Sequence, residues 1–250
     1  MRPTDQDHAS PQDHGGNLQE VRARYGLERV VDFSASINPL GHPPGLREHL
    51  ESIWGQVLHY PDRNSQGFCA AVASRFGLEA KGVVAGNGSA ELIGLLLRAL
   101  RPARLVLCPP DFGLYESLAP EEATIARVPR LEAQGFAPDL PRLSEALRPG
   151  DAILLSNPGN PSGSEVSRQD MLPLLAEAAR VGAYLIIDEA FADFCPAMSL
   201  LSLAGEDANL VVLRSMTKFY GIPGLRLGFL AAAPFLARRV ANLQIPWSVN

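Results

Sequence analysis

Between residues 82 and 232 two kinds of segment alternate, and this restricts the fold more than any other feature of the chain. Short runs rich in Val, Leu and Ile end in clusters of Gly, Pro or Asn, and longer stretches of helical period follow them. The pattern predicts an α/β domain with a largely parallel sheet, whose strands are buried on both faces and joined by helical crossovers. The strand candidates are "GVVAGNG", "RLVLCPP", "AILLSNPGNP", "AYLIIDEAF", "LVVLRSMTK" and "LRLGFLAA". Leu92, Leu95, Leu96 and Ala99 recur at i, i+3, i+4 and i+7, the stripe of a core-facing helix. A second helix is predicted over "QDMLPLLAEAARVG", with Gly182 as its stop and Pro173 tolerated only in its first turn.

Residues 1–60 differ in kind, being dense in Gly, Pro, Asn and His, with helices expected near "LQEVRARYG" and "GLREHLESIWGQ". They read as an arm and loops laid on a domain spanning 61–250. The opening "MRPTDQDHASPQDHGGN" lacks the apolar centre of a signal peptide, and no run reaches the about eighteen apolar residues of a membrane span. A cytoplasmic chain with a disordered first dozen residues is expected. The net charge of −5 is not gathered into long runs, which argues against nucleic-acid and membrane partners. Cys69, Cys108 and Cys195 lie far apart in or beside apolar segments and read as buried thiols in a reducing compartment. The five histidines include no H-E-x-x-H, so no metal is expected.

In a parallel α/β sheet, ligands bind outside the carboxyl ends of the strands. The strand-to-loop junctions here bring Gly86 to Ala90, Phe112, Asn157 with Asn160, Asp188 and Lys218 towards one crevice. Lys218 admits two readings: a snorkelling side chain with its ammonium in water, or a poorly solvated amine that forms a Schiff base. Asp188 follows "YLII", where an unpaired carboxylate would cost several kcal/mol, so a surface or capping role is disfavoured.

Taken in order, "GNGSAELI", "PPDFGLYE", "SNPGNPSG", "DEAFADF" and "SMTKFYGIPGLRLG" resemble the fold-type I pyridoxal-5′-phosphate (PLP) enzymes of the class I/II aminotransferase superfamily. The resemblance covers roughly residues 30–250 and implies an aspartate aminotransferase-like large domain, a mostly parallel sheet sandwiched by helices, preceded by an arm. It implies that Lys218 carries the cofactor and serves as acid and base near the substrate Cα. Asp188 would pair with the pyridinium nitrogen, and Asn157 would hydrogen-bond the 3′-oxygen. Gly88, Ser89 and Ala90 open a helix whose amides suit an anion, and Ser215 and Arg226 match the remaining phosphate ligands. Phe112 matches the aromatic stacked on the ring, although an apolar aromatic after Pro-Pro is more often plain core. Tyr60 in "LHYPDRNSQG" resembles a tyrosine that reaches the neighbouring subunit's cofactor, which would make the active unit a homodimer; an interface or core tyrosine is the other reading.

Within the superfamily, "DHGGN", "VDFSASINPLG" and a phenylalanine in "DEAF" resemble the L-threonine-O-3-phosphate decarboxylases of cobalamin biosynthesis, which make (R)-1-amino-2-propanol O-2-phosphate. That resemblance implies a small phosphorylated amino-acid substrate, with His14, Asn17 and Asn38 of the arm helping to bind it. Phe191, replacing a hydroxyl, would leave the 3′-oxygen one hydrogen bond fewer. The related histidinol-phosphate aminotransferases, which need an amino acceptor, remain open. The resemblance also implies a small C-terminal domain with substrate-binding arginines beyond Asn250, so the sequence is expected to be either a fragment of a longer product or a PLP-binding chain with weak or no turnover.

Overall fold

The computed structural model describes residues 15–249. His14 and the expected disordered start therefore lie outside the described residues. In chain order the elements are α1 (Leu18–Tyr25), α2 (Leu46–Ser52), α3 (Gln66–Phe76), β1 (Val83–Asn87), α4 (Ser89–Leu100), β2 (Arg104–Leu107), α5 (Leu114–Ser117) and β3 (Thr124–Arg127). They continue with α6 (Leu140–Ala146), β4 (Asp151–Ser156), α7 (Arg168–Val181), β5 (Tyr184–Asp188), β6 (Leu210–Ser215), β7 (Leu227–Ala232) and α8 (Pro234–Ala241).

The strands form one seven-stranded sheet in the order β1-β7-β6-β5-β4-β2-β3. Strands β6, β5, β4, β2 and β3 are mutually parallel, and β7 runs antiparallel to both β6 and β1. A parallel return needs a crossover of a dozen or more residues, usually helical. Residues 216–226 instead hold the Lys218 loop, so the chain comes straight back beside β6.

Alternate residues of each strand face opposite sides of the sheet. Ile153, Leu155, Leu185, Ile187, Val212 and Phe229 pack with Val72 of α3, Leu143 of α6 and Met171, Leu174 and Ala178 of α7. Leu154, Ile186, Val211, Leu213 and Leu230 pack on the other side with α4 and α8, through Leu92, Leu96, Leu236 and Val240. All four residues of the predicted α4 stripe are buried. Filling both faces is what the continuous apolar runs required, at about 1.5–3 kcal/mol for each large side chain removed from water.

Two expectations need correction. All six strand candidates form, but β3 lies on "TIAR", a sheet-edge segment with partly exposed residues that carries no continuous apolar run. Pro173 sits in the second turn of α7, not the first, because the helix starts earlier at a Ser167 cap whose side chain accepts from the Asp170 N–H. The ring removes the bond that would reach the Gln169 carbonyl, yet both residues face solvent, where water can take that acceptor. Gly182 ends α7 at φ 72°, a left-handed conformation that glycine adopts without a Cβ penalty.

Before α3 the chain is built differently. Helices α1 and α2 bury no residue, and Phe33 and Leu40 are almost fully exposed. The segment is tied to the sheet at the loop after β6, where the Asn38 N–H donates to the Lys218 carbonyl at 3.1 Å and Asn38 Nδ2 donates to the Phe219 carbonyl at 2.8 Å. Gly221 makes this approach possible, since a Cβ there would lie 2.5 Å from the Gly41 carbonyl oxygen.

Candidate active site

A crevice of about 370 Å³ opens at the carboxyl ends of the parallel strands. Lys218, Asp188, Ser215, Arg226, Ser89, Ala90 and Phe112 all line it, together with Gly15, Ser34, Ala35 and Ser36 from the arm. The parallel register explains the convergence, because Asp188 ends β5, Ser215 ends β6, and Lys218 follows within one turn.

Lys218 lines the crevice, and its Nζ donates to the Ala35 carbonyl at 3.0 Å. Burial pulls its ammonium below the ordinary lysine pKa and the nearby Arg226 charge acts in the same direction, while Asp188 and Asp32 oppose them. A lysine so placed yields the neutral amine more readily than one in water.

Asp188 is 5% exposed and forms no ion pair among the described residues. Its Oδ2 accepts from the Tyr115 hydroxyl at 2.8 Å and its Oδ1 from the Ala190 N–H at 3.0 Å. Burial raises its pKa, and these two hydrogen bonds and the Lys218 charge hold it back. A buried carboxylate facing a cavity with only neutral donors is suited to a ligand that brings its own positive charge or proton.

The opposite end is built for an anion. Gly88 caps α4 at φ 79°, and the amides of Ser89 and Ala90 open the helix towards the crevice. A Cβ on Gly88 would lie 2.6 Å from a terminal nitrogen of Arg226, and one on Gly228 would lie 2.9 Å from the Ser89 nitrogen. Both glycines therefore leave room for the guanidinium and the helix start to meet. Ser215 Oγ and Thr217 Oγ1 lie 2.7 Å apart at the same end. Glu91, in the first turn of α4, is turned away by accepting from the Asn87 N–H at 2.6 Å.

Several expected site residues are placed otherwise. The Asn157 side chain is buried and committed to Val166, with Nδ2 donating to its carbonyl at 3.0 Å and Oδ1 accepting from its N–H at 2.9 Å. Asn160, three residues on, lines the crevice instead. Asn17 does not reach the crevice wall: it caps α1, with Oδ1 accepting from the Glu20 N–H at 3.4 Å. Asn38 is spent joining the arm to the lysine loop, its Oδ1 also accepting from the Leu40 N–H at 3.0 Å. Tyr60 is 81% exposed, stacks on Trp247 at 4.7 Å, and is not part of the wall. Phe191 lines the crevice.

Three residues were missed from sequence, Thr217 beside Ser215 being the first. Tyr115 holds Asp188, and its signal was the spacing in "DFGLY": three residues past Phe112, it returns to the same side of a helical turn, where the rings meet edge to face at 5.6 Å. Arg130 lies behind the wall, donating to the Cys108 carbonyl at 3.0 Å and the Ser156 carbonyl at 3.1 Å. Nothing in the sequence around it marks that role. Its neighbour Asp111 is pushed up to about 6 by burial, which outweighs the pull of Arg130.

An amine of lowered pKa, flanked by an anion cradle and a buried carboxylate at the carboxyl edge of a mostly parallel sheet, defines a site for small zwitterionic or phosphorylated ligands. The chain belongs to the family described as aminotransferase class I and II, whose profile matches residues 28–249. It is 35% identical over 243 residues to a threonine-phosphate decarboxylase of Salmonella typhimurium, covering 95% of this chain and 66% of that one. It is 33% identical over 243 residues to a histidinol-phosphate aminotransferase of Oleidesulfovibrio alaskensis, covering 94% and 63%. Among solved structures, the histidinol-phosphate aminotransferase from Clostridium acetobutylicum superposes with a TM-score of 0.81 at 26% identity, over 88% of this chain and 66% of that chain. The chain thus spans slightly less than two thirds of the length of these relatives.

Proposed function

We propose that the crevice binds PLP and that the protein decarboxylates L-threonine O-3-phosphate to (R)-1-amino-2-propanol O-2-phosphate. The observation that carries the cofactor reading is the set of charges in the crevice. The Lys218 amine lies within electrostatic reach of both the Arg226 charge beside the α4 start and the buried Asp188 carboxylate, a set that matches the carbonyl, phosphate and ring nitrogen of PLP. Arg226, Ser215, Thr217 and the amides of Ser89 and Ala90 would hold the phosphate. Asp188, positioned by Tyr115, would keep a proton on the ring nitrogen. Phe112 would cover one ring face, and Asn160, rather than Asn157, would donate to the 3′-oxygen.

PLP would supply an electron sink for the pair released when a bond at the substrate Cα breaks. Lys218, its amine poised by burial, would take up or return the proton at that carbon. The arm would close the substrate side, where Gly15, Ser34, Ala35 and Ser36 already form wall. Its presence there favours the decarboxylase, since "DHGGN" and "DFSASINPLG" carry that resemblance and His14 precedes the wall residue Gly15 directly. Phe191, with no hydroxyl to offer the 3′-oxygen, is consistent with the same reading.

Further parts of the proposal concern assembly and place. Residues 61–250 would be the large domain and 1–60 an arm with the first part of a small-domain region. The exposed Tyr60, stacked on Trp247, would be buried in a homodimer in which Tyr60 of the partner subunit approaches the cofactor phosphate. Among the described residues no helix is long and apolar enough to cross a membrane, and a cytoplasmic location is proposed.

The test is mass spectrometry of the products when the PLP-loaded protein meets O-phospho-L-threonine without any keto acid. Aminopropanol phosphate is expected. Transfer of an amino group from histidinol phosphate to 2-oxoglutarate, without decarboxylation, would replace this reading with the aminotransferase.

A further inference from the structure

Arg130 follows the edge strand β3 and lies outside the crevice wall, yet its side chain is only 1% exposed. Its fork is fully engaged with the segments that carry Phe112 and Asn160, both of which line the crevice, and with Phe136 on the chain after β3. On one side Nε donates to the Cys108 carbonyl at 3.0 Å and a terminal nitrogen meets Asp111 Oδ1 at 3.5 Å, immediately before Phe112. On the other, the same terminal nitrogen donates to the Ser156 carbonyl at 3.1 Å, and its twin donates to Ser164 Oγ at 3.1 Å and the Phe136 carbonyl at 3.3 Å. The two loops also touch directly through Ser156, whose Oγ donates to Asp111 Oδ1 at 2.9 Å and accepts from the Asn160 N–H at 3.0 Å. Gly159 lets the second loop fold over the guanidinium, since a Cβ there would meet Ser162 Oγ at 2.3 Å and Arg130 at 3.1 Å.

We propose that Arg130 is a positioning residue that fixes the spacing between the Phe112 wall and the Asn160 wall, so that both close on one flat ring. The proposal rests on the reading of the crevice as a PLP site. A guanidinium suits this work because its planar fork spans several acceptors in fixed directions, which a lysine ammonium cannot do. Removing a guanidinium from water to satisfy carbonyls is costly, and the middle of the sheet gains little from it, because the partners of Arg130 are Ser156 at the last position of β4 and loop residues beyond the carboxyl edge. Arg104 provides the contrast. It pairs with Asp151 at the amino edge of the same sheet, through Nε at 3.1 Å, and touches no crevice residue.

The experiment compares the protein with its Arg130→Lys and Arg104→Lys variants. PLP affinity is followed by absorbance, and the circular dichroism of the bound cofactor band is recorded, all well below each melting temperature. Arg130→Lys is expected to weaken PLP at least tenfold and to diminish the induced dichroism. Arg104→Lys is expected to lower the melting temperature and leave both cofactor readouts unchanged. Should Arg130→Lys fail to fold, Ser164→Ala removes one acceptor on the Asn160 side and is expected to weaken PLP severalfold. Unchanged affinity and dichroism in the Arg130 variant or its substitute, or equal losses at Arg104, would overturn the proposal while leaving the PLP site intact. If the unsubstituted protein binds no PLP, the reading of the crevice fails first, and the proposal with it.

Discussion

At the amino ends of β2 and β4, Arg104 and Asp151 meet in an ion pair whose side chains are 16% and 2% exposed. At the carboxyl ends of β5 and β6, Asp188 is buried as deeply and is given no cation, while Lys218 is half-buried and donates to a backbone carbonyl. The two edges of one sheet, with a shared apolar middle, thus end in opposite electrostatics. Charges at the amino edge satisfy each other, and the Asp151 contact raises the Arg104 pKa. At the carboxyl edge Arg214 and Glu189 also pair, at 2.9 Å, but the two charges that line the crevice are left with shifted titrations, Asp188 upward and Lys218 downward, both chiefly by desolvation. Unmet electrostatic demand of this kind marks the end of a sheet where a ligand completes the structure.

The largest effect should come from Lys218→Ala. Reduction of the PLP-treated protein with borohydride should add one pyridoxyl group to a peptide containing Lys218 in the unsubstituted chain and none in the variant. Turnover should fall by at least about a thousandfold, the combined scale of a lost covalent anchor and a lost acid–base group. A pyridoxyl group on another lysine would break the comparison at its centre.

Next come two identical substitutions at the two edges. Asp188→Asn should weaken PLP by about a hundredfold, the scale of removing one member of a buried charged pair, and should leave the cofactor-free protein as stable or more so. Asp151→Asn should do the reverse, lowering stability by about 2 kcal/mol because Arg104 keeps a mostly buried charge without its partner, with PLP affinity unchanged. Denaturant titrations and PLP titrations on both variants check the pair of outcomes. Losses of stability at both positions would show that the carboxyl edge, too, is held together by its charges.

This contrast between edges also governs how much could be read from sequence. Strands β4, β5 and β6 were legible because burial on both faces demands unbroken runs such as "AILLS" and "YLIID". Strand β3 was not, because an edge strand tolerates Thr124 and Arg127 on exposed positions. The cluster at the carboxyl edge was legible as a set, since Asp188, Ser215 and Lys218 end or follow recognisable strands. Individual roles were less so. Asn157 and Asn160 occupy one loop of "NPGNP", and only the hydrogen bonds from Asn157 to Val166, nine residues on, turn the first away from the crevice and leave the second in its wall. The arm asparagines were misassigned for a related reason: a side chain that caps a helix or joins two loops has the same composition as one that binds substrate, and the difference lies in partners that sequence does not show.

The smallest expected effect is the pH dependence of stability, and its sign differs between the groups. Lys218 has a folded pKa below its unfolded value, so its charged form is disfavoured in the native state. At pH below the folded pKa both states are protonated and the penalty is present in full. As pH rises from the folded pKa towards the unfolded one, the native chain binds fewer protons than the unfolded chain, and stability increases. Asp188, with its folded pKa raised, behaves in the opposite sense: its contribution is complete below the unfolded pKa and is lost as pH climbs through the folded one. Arg104 titrates far above neutrality in either state and contributes no slope there. Unfolding free energies of the cofactor-free protein, measured across pH against Lys218→Met and Asp188→Asn, should therefore show the alkaline gain vanish in the first variant and the acid-side gain vanish in the second. Replacing both members of the amino-edge pair together, Arg104→Met with Asp151→Leu, should leave the shape of the curve unchanged, since no buried charge is then left without its partner. A change of slope near neutrality in that last variant would mean that the amino edge also holds charges in unmet form, and that the division between the two ends of the sheet is not electrostatic.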